Sequence, residues 1–173
     1  MKRLLLVSTL LVLSACSSYQ MQESPKFESD AHWAIMPFKN LSGTPLAGQK
    51  AEQMLATALS AKGISVSVYP NADSHSLESI LDPQSVEKKA QEWLKSQRAE
   101  YVITGSVEEW QYKTGLDSEP TVGISLKVIA NPGSTTLWRA TGTRTGWGRE
   151  GLAQTGLDVI TGLVDEINVQ SNQ

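Results

Sequence analysis

Apolar positions along the chain fall into five short-period runs and three longer stripes; runs and stripes alternate at first, then three runs follow in succession before the last stripe. His32 to Phe38 (HWAIMPF) is an apolar run broken by Pro37 and followed by Asn40-Leu41-Ser42-Gly43, which reads as a strand entering a loop. From Leu46 to Lys62 the residues Ala47, Ala51, Met54, Leu55, Ala58 and Leu59 recur at helical spacing. Gly63 stands where a left-handed C-cap belongs. Ile64, Val66 and Val68 alternate with Ser65, Ser67 and Tyr69, predicting a half-buried strand. Asp82-Pro83 opens a second helix, with Pro at its first position and Val86, Ala90, Trp93 and Leu94 on one face. Tyr101 to Lys113, Thr121 to Ala130 and Thr135 to Gly146 read as three long strands. The tight turn Asn131-Pro132-Gly133-Ser134 makes the last two an antiparallel hairpin. A final helix from about Arg149 to Val169 carries Leu152, Val159, Ile160, Leu163, Val164 and Ile167.

The order βαβαβββα predicts a single α/β domain over residues 31–173. It should be a mixed sheet of about five strands with three helices packed on it, in two or three layers. No internal repeat is visible.

The first sixteen residues follow a different logic. Met1-Lys2-Arg3 is a positive n-region, and the apolar stretch Leu4 to Val12 is far short of the ~20 residues a bilayer crossing requires. Residues 1–15 therefore read as a secretion signal. Leu13-Ser14-Ala15-Cys16 is the order of a bacterial lipobox, and Cys16 is the lone cysteine of the chain, marking it for acylation (palmitate and a diacylglyceryl group). Ser17, not Asp, follows it, which by lipoprotein sorting implies the outer membrane, periplasmic face. Residues 17–30 (SSYQMQESPKFESD) are polar, contain Pro25 and show no sustained period. With Cys16 they are expected to be a flexible tether of roughly 20 Å.

Composition then narrows the chemistry. The 15 Lys+Arg and 18 Asp+Glu give a formal charge of −3, which becomes −5 when Lys2 and Arg3 leave with the signal. Such a chain has no net positive field for nucleic acid. A single cysteine excludes an internal disulfide and any multi-cysteine metal site. The two histidines, His32 and His75, stand far apart, with no spacing that suggests a metal site or a hydrolase triad. No glycine-rich phosphate loop is present. No cofactor, metal or catalytic residue is expected, and the chain reads as a non-enzyme.

Two segments carry a fold-level resemblance. Trp33-Ala34-Ile35-Met36-Pro37-Phe38-Lys39-Asn40-Leu41-Ser42 and Tyr101-Val102-Ile103-Thr104-Gly105-Ser106-Val107 resemble the first and third strands of the TolB N-terminal-like fold, shared by CsgG-type and LpoB-type lipoproteins. The downstream run Glu109 to Pro120, with Leu137-Trp138 and Gly142 to Glu150, is similar to the PelC family, short lipoproteins of the Pel exopolysaccharide export system. That resemblance implies a homo-oligomeric ring at the outer membrane. The ring would pass a cationic polymer (the partly de-N-acetylated Pel polysaccharide of the biofilm matrix) to a porin with a TPR scaffold (PelB-like). An LpoB-like activator of a peptidoglycan synthase is the alternative, and it expects a longer tether than this one. A CsgG-like pore would need membrane hairpins for which the chain has no spare segments.

Individual residues are weighed against that background. Trp147, in Gly146-Trp147-Gly148-Arg149, suits either a membrane interface beside Arg149 and Arg144 or a plug folded back into the core. The resemblance implies a belt of such tryptophans in the membrane. Trp33 and Trp93 lie on apolar faces and are expected in the core, while Trp110 and Trp138 fit core or subunit interface equally. Asp117, Glu119 and Glu109, in that order, are the carboxylates the resemblance implies for an electronegative funnel; on residues alone they are a solvated loop and strand end. Glu108 beside Glu109 does not make a glycosidase pair, since nothing suggests a sugar-binding cleft.

Overall fold

The computed structural model describes residues 17–70, 83–114, 118–147 and 149–170. Cys16, Asp117 and His75 therefore lie outside the described residues. Along the chain run β1 (Ser17–Met21), β2 (Phe27–Glu28), β3 (His32–Ile35), β4 (Lys39–Asn40), α1 (Ala47–Ala61), β5 (Ser65–Val68), α2 (Pro83–Gln97), β6 (Tyr101–Tyr112), β7 (Pro120–Ala130), β8 (Thr136–Thr145), α3 (Leu152–Asp165) and β9 (Val169–Gln170). The α/β architecture with three helices matches the sequence expectation.

The main sheet is mixed, in the order β1-β8-β7-β6-β3-β5, with β4 continuing β3 along β6. The β7–β8 pair is the expected antiparallel hairpin, and β3 lies parallel to both β5 and β6. Inward residues of β3, β6, β7 and β8 pack against α1 and α3. This core includes Trp33, Trp110 and Trp138, all fully or nearly fully buried, so the two tryptophans left open by the sequence are core residues. Gly156 of α3 lies against the Trp110 ring, where no Cβ would fit, and this lets the helix sit close on the sheet.

On the opposite face Ala34, Met36 and Val102 meet Ala90 and Leu94 of α2, giving a third layer at that end only. Trp93, expected in the core, is half-buried instead. It packs edge-on against Tyr69 with ring centroids 5.5 Å apart at the border of the small cluster. Beyond α2 no described residue covers the sheet face, which forms a shallow polar groove of about 360 Å³ lined by Lys39, Ser106, Ser125, Lys127, Arg139 and Thr141 among others.

The segment 17–30 is not a flexible tether. Ser17–Met21 pairs antiparallel with Met21↔Ala140 at one end and Ser17↔Arg144 at the other. Tyr19 lies flat over Gly142 and Gly162. A Cβ at either would come within 2.8 Å or less of the phenol, so the two glycines make the slot. The Trp138 indole Nε1 donates to the Gln22 carbonyl at 3.0 Å. Phe27 is buried, its ring 5.0 Å from Trp33 and 5.1 Å from Tyr101, and β2 pairs in parallel with β9. The folded unit thus includes Ser17–Met21 and Phe27–Glu28. The final helix spans Leu152–Asp165 and does not start near Arg149, because Glu150 is drawn back towards the end of β8 as described next.

Candidate functional site

The end of the sheet where β6 and β8 finish and β1 and β7 begin gathers most of the residues singled out by sequence. Pairing of Thr121 with Thr145 brings the β6–β7 connection beside the turn after β8. Gly146 N–H donates to the Pro120 carbonyl at 2.8 Å, and Lys113 N–H donates to the Glu119 carbonyl at 2.8 Å. Glu119 is therefore a close neighbour of the Trp147 turn in the fold. Glu109 sits further in along β6, half-buried and opposite Gly123, just after the bulge between Val107 and Glu109.

Glu150 holds the turn. One carboxylate oxygen takes the Arg144 guanidinium in an ion pair and the Thr155 hydroxyl at 3.1 Å; the other takes the Trp147 N–H at 3.3 Å. The Glu150 N–H in turn donates to the Trp147 carbonyl at 2.8 Å. A Cβ at Gly146 would lie 2.7 Å from the Glu150 carboxylate and 2.9 Å from the Pro120 ring, so only glycine lets these approach. The peptide groups on both sides of the tryptophan are thereby fixed, while its side chain points out, 51% exposed. Trp147 is not folded back into the core.

Arg144, expected at lipid headgroups, is engaged inside the domain. Beyond Glu150 it lies 3.4 Å from an Asp158 carboxylate oxygen, and its side chain is only 16% exposed. Its hydrogen bond to Glu150 holds the guanidinium pKa above its ordinary value, against the effect of burial. The same bond holds the Glu150 carboxyl below its ordinary range, helped by Thr155 and the Trp147 N–H and opposed by burial. Burial and the neighbouring Asp158 push the Tyr19 phenol up, with Arg144 opposing. Arg149, by contrast, is exposed and has no ion-pair partner among the described residues.

The sequence reading did not give Glu150, Thr155, Asp158 or Tyr19 a role. The available signal was local. A glutamate just ahead of a helix, three residues after an exposed tryptophan and six after an arginine, can reach back across a glycine turn to both. Among the described residues no group of His, Cys, Asp and Glu could hold a metal ion. Among them, too, no helix is long and apolar enough to cross a membrane.

No family model matches the chain, and no curated protein does. Solved structures do. The PelC dodecamer from Paraburkholderia phytofirmans is 34% identical, with a TM-score of 0.75 over 90% of this chain and 100% of that one. A single-substitution variant of the same dodecamer gives 0.76 at the same identity and coverage. The lipoprotein GNA1162 from Neisseria meningitidis, 15% identical over 79% of this chain and 96% of that one, shares the fold alone at 0.55. Identical at a third of its positions to PelC and superposing on it over nine-tenths of its length, the chain belongs to the PelC family.

Proposed function

We propose that this protein is an outer-membrane lipoprotein, acylated at Cys16. Its copies close into a ring on the periplasmic face that gathers a cationic exopolysaccharide and hands it to an outer-membrane porin. The observation that carries the orientation is the register Ser17↔Arg144. It pairs the residue that follows Cys16 with Arg144, three positions before Trp147. Acyl chains and indole thus leave the same end of the domain, where an amphipathic ring suits the headgroup boundary. Arg149 is the cation free to meet lipid phosphates there, and Arg144 serves by bracing the turn.

Ring assembly is supported by the dodecameric PelC structures at 34% identity. Asp117, Glu119 and Glu109 are the carboxylates that would line its opening. One copy's exposed charges are screened within about 8 Å at physiological salt. Repeated around a ring, they focus a field on a positively charged chain. The LpoB-like alternative calls for a long tether, whereas Ser17–Met21 is paired into the sheet edge.

The test is export in cells carrying Trp147→Ala. Secreted polymer should be lost while the purified variant keeps the wild-type far-UV circular dichroism and the protein stays in the membrane fraction. Normal export from a folded Trp147→Ala variant refutes the interfacial role.

A further inference from the structure

The sheet face beyond α2 that no described residue covers is cationic, although the chain as a whole is acidic. Lys39, Ser106, Ser125 and Thr141 lie on one rung of it, and Lys127 and Arg139 on the next. Lys127 and Arg139 are direct cross-strand partners, an arrangement in which like charges repel and weaken the pair. None of the three cations has an ion-pair partner among the described residues. Glu108, next along this face of β6, accepts from the Ser106 hydroxyl at 2.6 Å, and the Arg139 guanidinium donates to the Thr136 hydroxyl at 3.5 Å.

An unfavourable placement of the opposite sign stands on the other side of the sheet. Asp165 and Glu166 end α3, where the helix macrodipole disfavours acidic side chains, and the last turn holds no basic residue. Lys62 donates to the Val164 and Asp165 carbonyls at 2.8 and 2.9 Å. Both acidic residues are exposed, and neither has an ion-pair partner among the described residues. The two clusters also share a height. α3 starts with its Leu152 N–H on the Tyr112 hydroxyl, then passes the Trp110 ring at Gly156 and Gly142 at Val159. It therefore runs beside β8, away from Trp147. Asp165, thirteen residues past Leu152, and Arg139, six residues before Thr145, each lie about 20 Å from that end.

We propose that the bare sheet face seats the helix side of the next copy in the ring, Lys127 and Arg139 meeting that copy's Asp165 and Glu166. This deepens the ring proposed above and rests on it. A ring closes head to tail when two different surfaces of one chain fit each other. Oppositely charged clusters on opposite sides of the domain, at one height, meet that condition and fix the register of the contact. Charge selects a second copy as the occupant. The chain is −3 overall, so everything outside Lys39, Lys127 and Arg139 sums to −6. The cationic polymer is repelled by this face, and lipid headgroups beside Trp147 lie too far along the strands to reach it. The repulsion between Lys127 and Arg139 is then relieved only in the assembled state, which favours the ring over the free copy.

The experiment uses the full-length protein purified from membranes in a non-ionic detergent, with assembly read by sedimentation velocity. Arg139→Glu and Glu166→Lys should each cut the fraction in rings at least tenfold while far-UV circular dichroism stays that of the wild type. Arg139→Glu also removes the repulsion across its rung, so the free copy keeps its fold. The two substitutions in one chain restore opposite charges across the contact and should return the ring. A ring that forms normally in either single variant overturns the inference, leaves the ring itself standing and frees the face for a different anionic partner. Loss in both single variants without recovery in the double variant also overturns it, because the two clusters then do not meet. A wild-type protein that stays monomeric overturns the ring, and this contact with it.

Discussion

Replacing Glu150 by glutamine keeps the shape of the side chain and removes the charge that braces the Trp147 turn. The amide offers one oxygen where the carboxylate offered two, so an N–H₂ group must face either the Arg144 guanidinium or the Trp147 N–H, donor against donor. Breaking an interior ion pair costs about 3–5 kcal/mol, while an exposed pair is worth about 0–1 kcal/mol. With side chains 16% and 15% exposed, this pair sits towards the interior, and Asp158 at 3.4 Å remains as partial compensation. A loss of about 2–3 kcal/mol follows, a fall in Tm of about 5–10 °C for a domain of this size. Fluorescence anisotropy of Trp147 should fall at the same time, since its N–H loses its acceptor. The pH dependence has a definite sign. Glu150 titrates below its ordinary 4.5 in the folded protein, so its contribution is complete above that pH and disappears as pH falls through the lower folded value. Arg144, held above its ordinary value, stays charged throughout and adds no dependence in this window. Thermal melts of wild type and Glu150→Gln should therefore differ at pH 7 and converge in acid. Equal melting points at pH 7, or zero coupling between Glu150→Gln and Arg144→Met in a double-mutant cycle, refute the bracing role.

Three further outcomes are expected. Gly142→Ala should drive the Tyr19 ring out of its slot, costing about 1–3 kcal/mol and raising hydrogen exchange across residues 17–21 without unfolding the rest; unchanged exchange there would remove the glycine-slot explanation. Phe27→Ala should cost about 3–5 kcal/mol in denaturant unfolding, whereas a segment acting only as a tether would leave the midpoint where it was. Asp117→Lys should impair polymer export while the protein stays in the membrane fraction, and full export from that variant would count against the carboxylate funnel.

Where periodicity was strong, the elements were legible from residues alone. The alternation in 64–69 and the stripe of Ala51, Leu55 and Leu59 each placed an element within a residue or two of its observed ends. β1 was not legible, because Ser17–Met21 turns one large residue, Tyr19, towards the domain. The slot that receives it is made by Gly142 and Gly162, more than a hundred positions away. Trp93 misled for a related reason: its helix covers only part of the second sheet face, so a side chain on the apolar stripe still ends at a border. The Glu150 brace needs three partners brought together by a turn, and no linear pattern announces such geometry. Trp147 and Glu119 look unrelated in sequence and become neighbours only through the pairing of β7 with β8.

The attachment of β1 also determines how the domain carries load. A pull on residue 16, directed out of the end where Trp147 stands, runs along the strand axis. The rungs from Ser17↔Arg144 to Met21↔Ala140 are then strained together in shear, and are not unzipped one after another from a free edge. Behind them the Trp138–Gln22 bond and the Phe27 ring act in series as further stops. In the anchored orientation proposed above, such a joint would pass a pull on residue 16 into the whole sheet before the strand frayed.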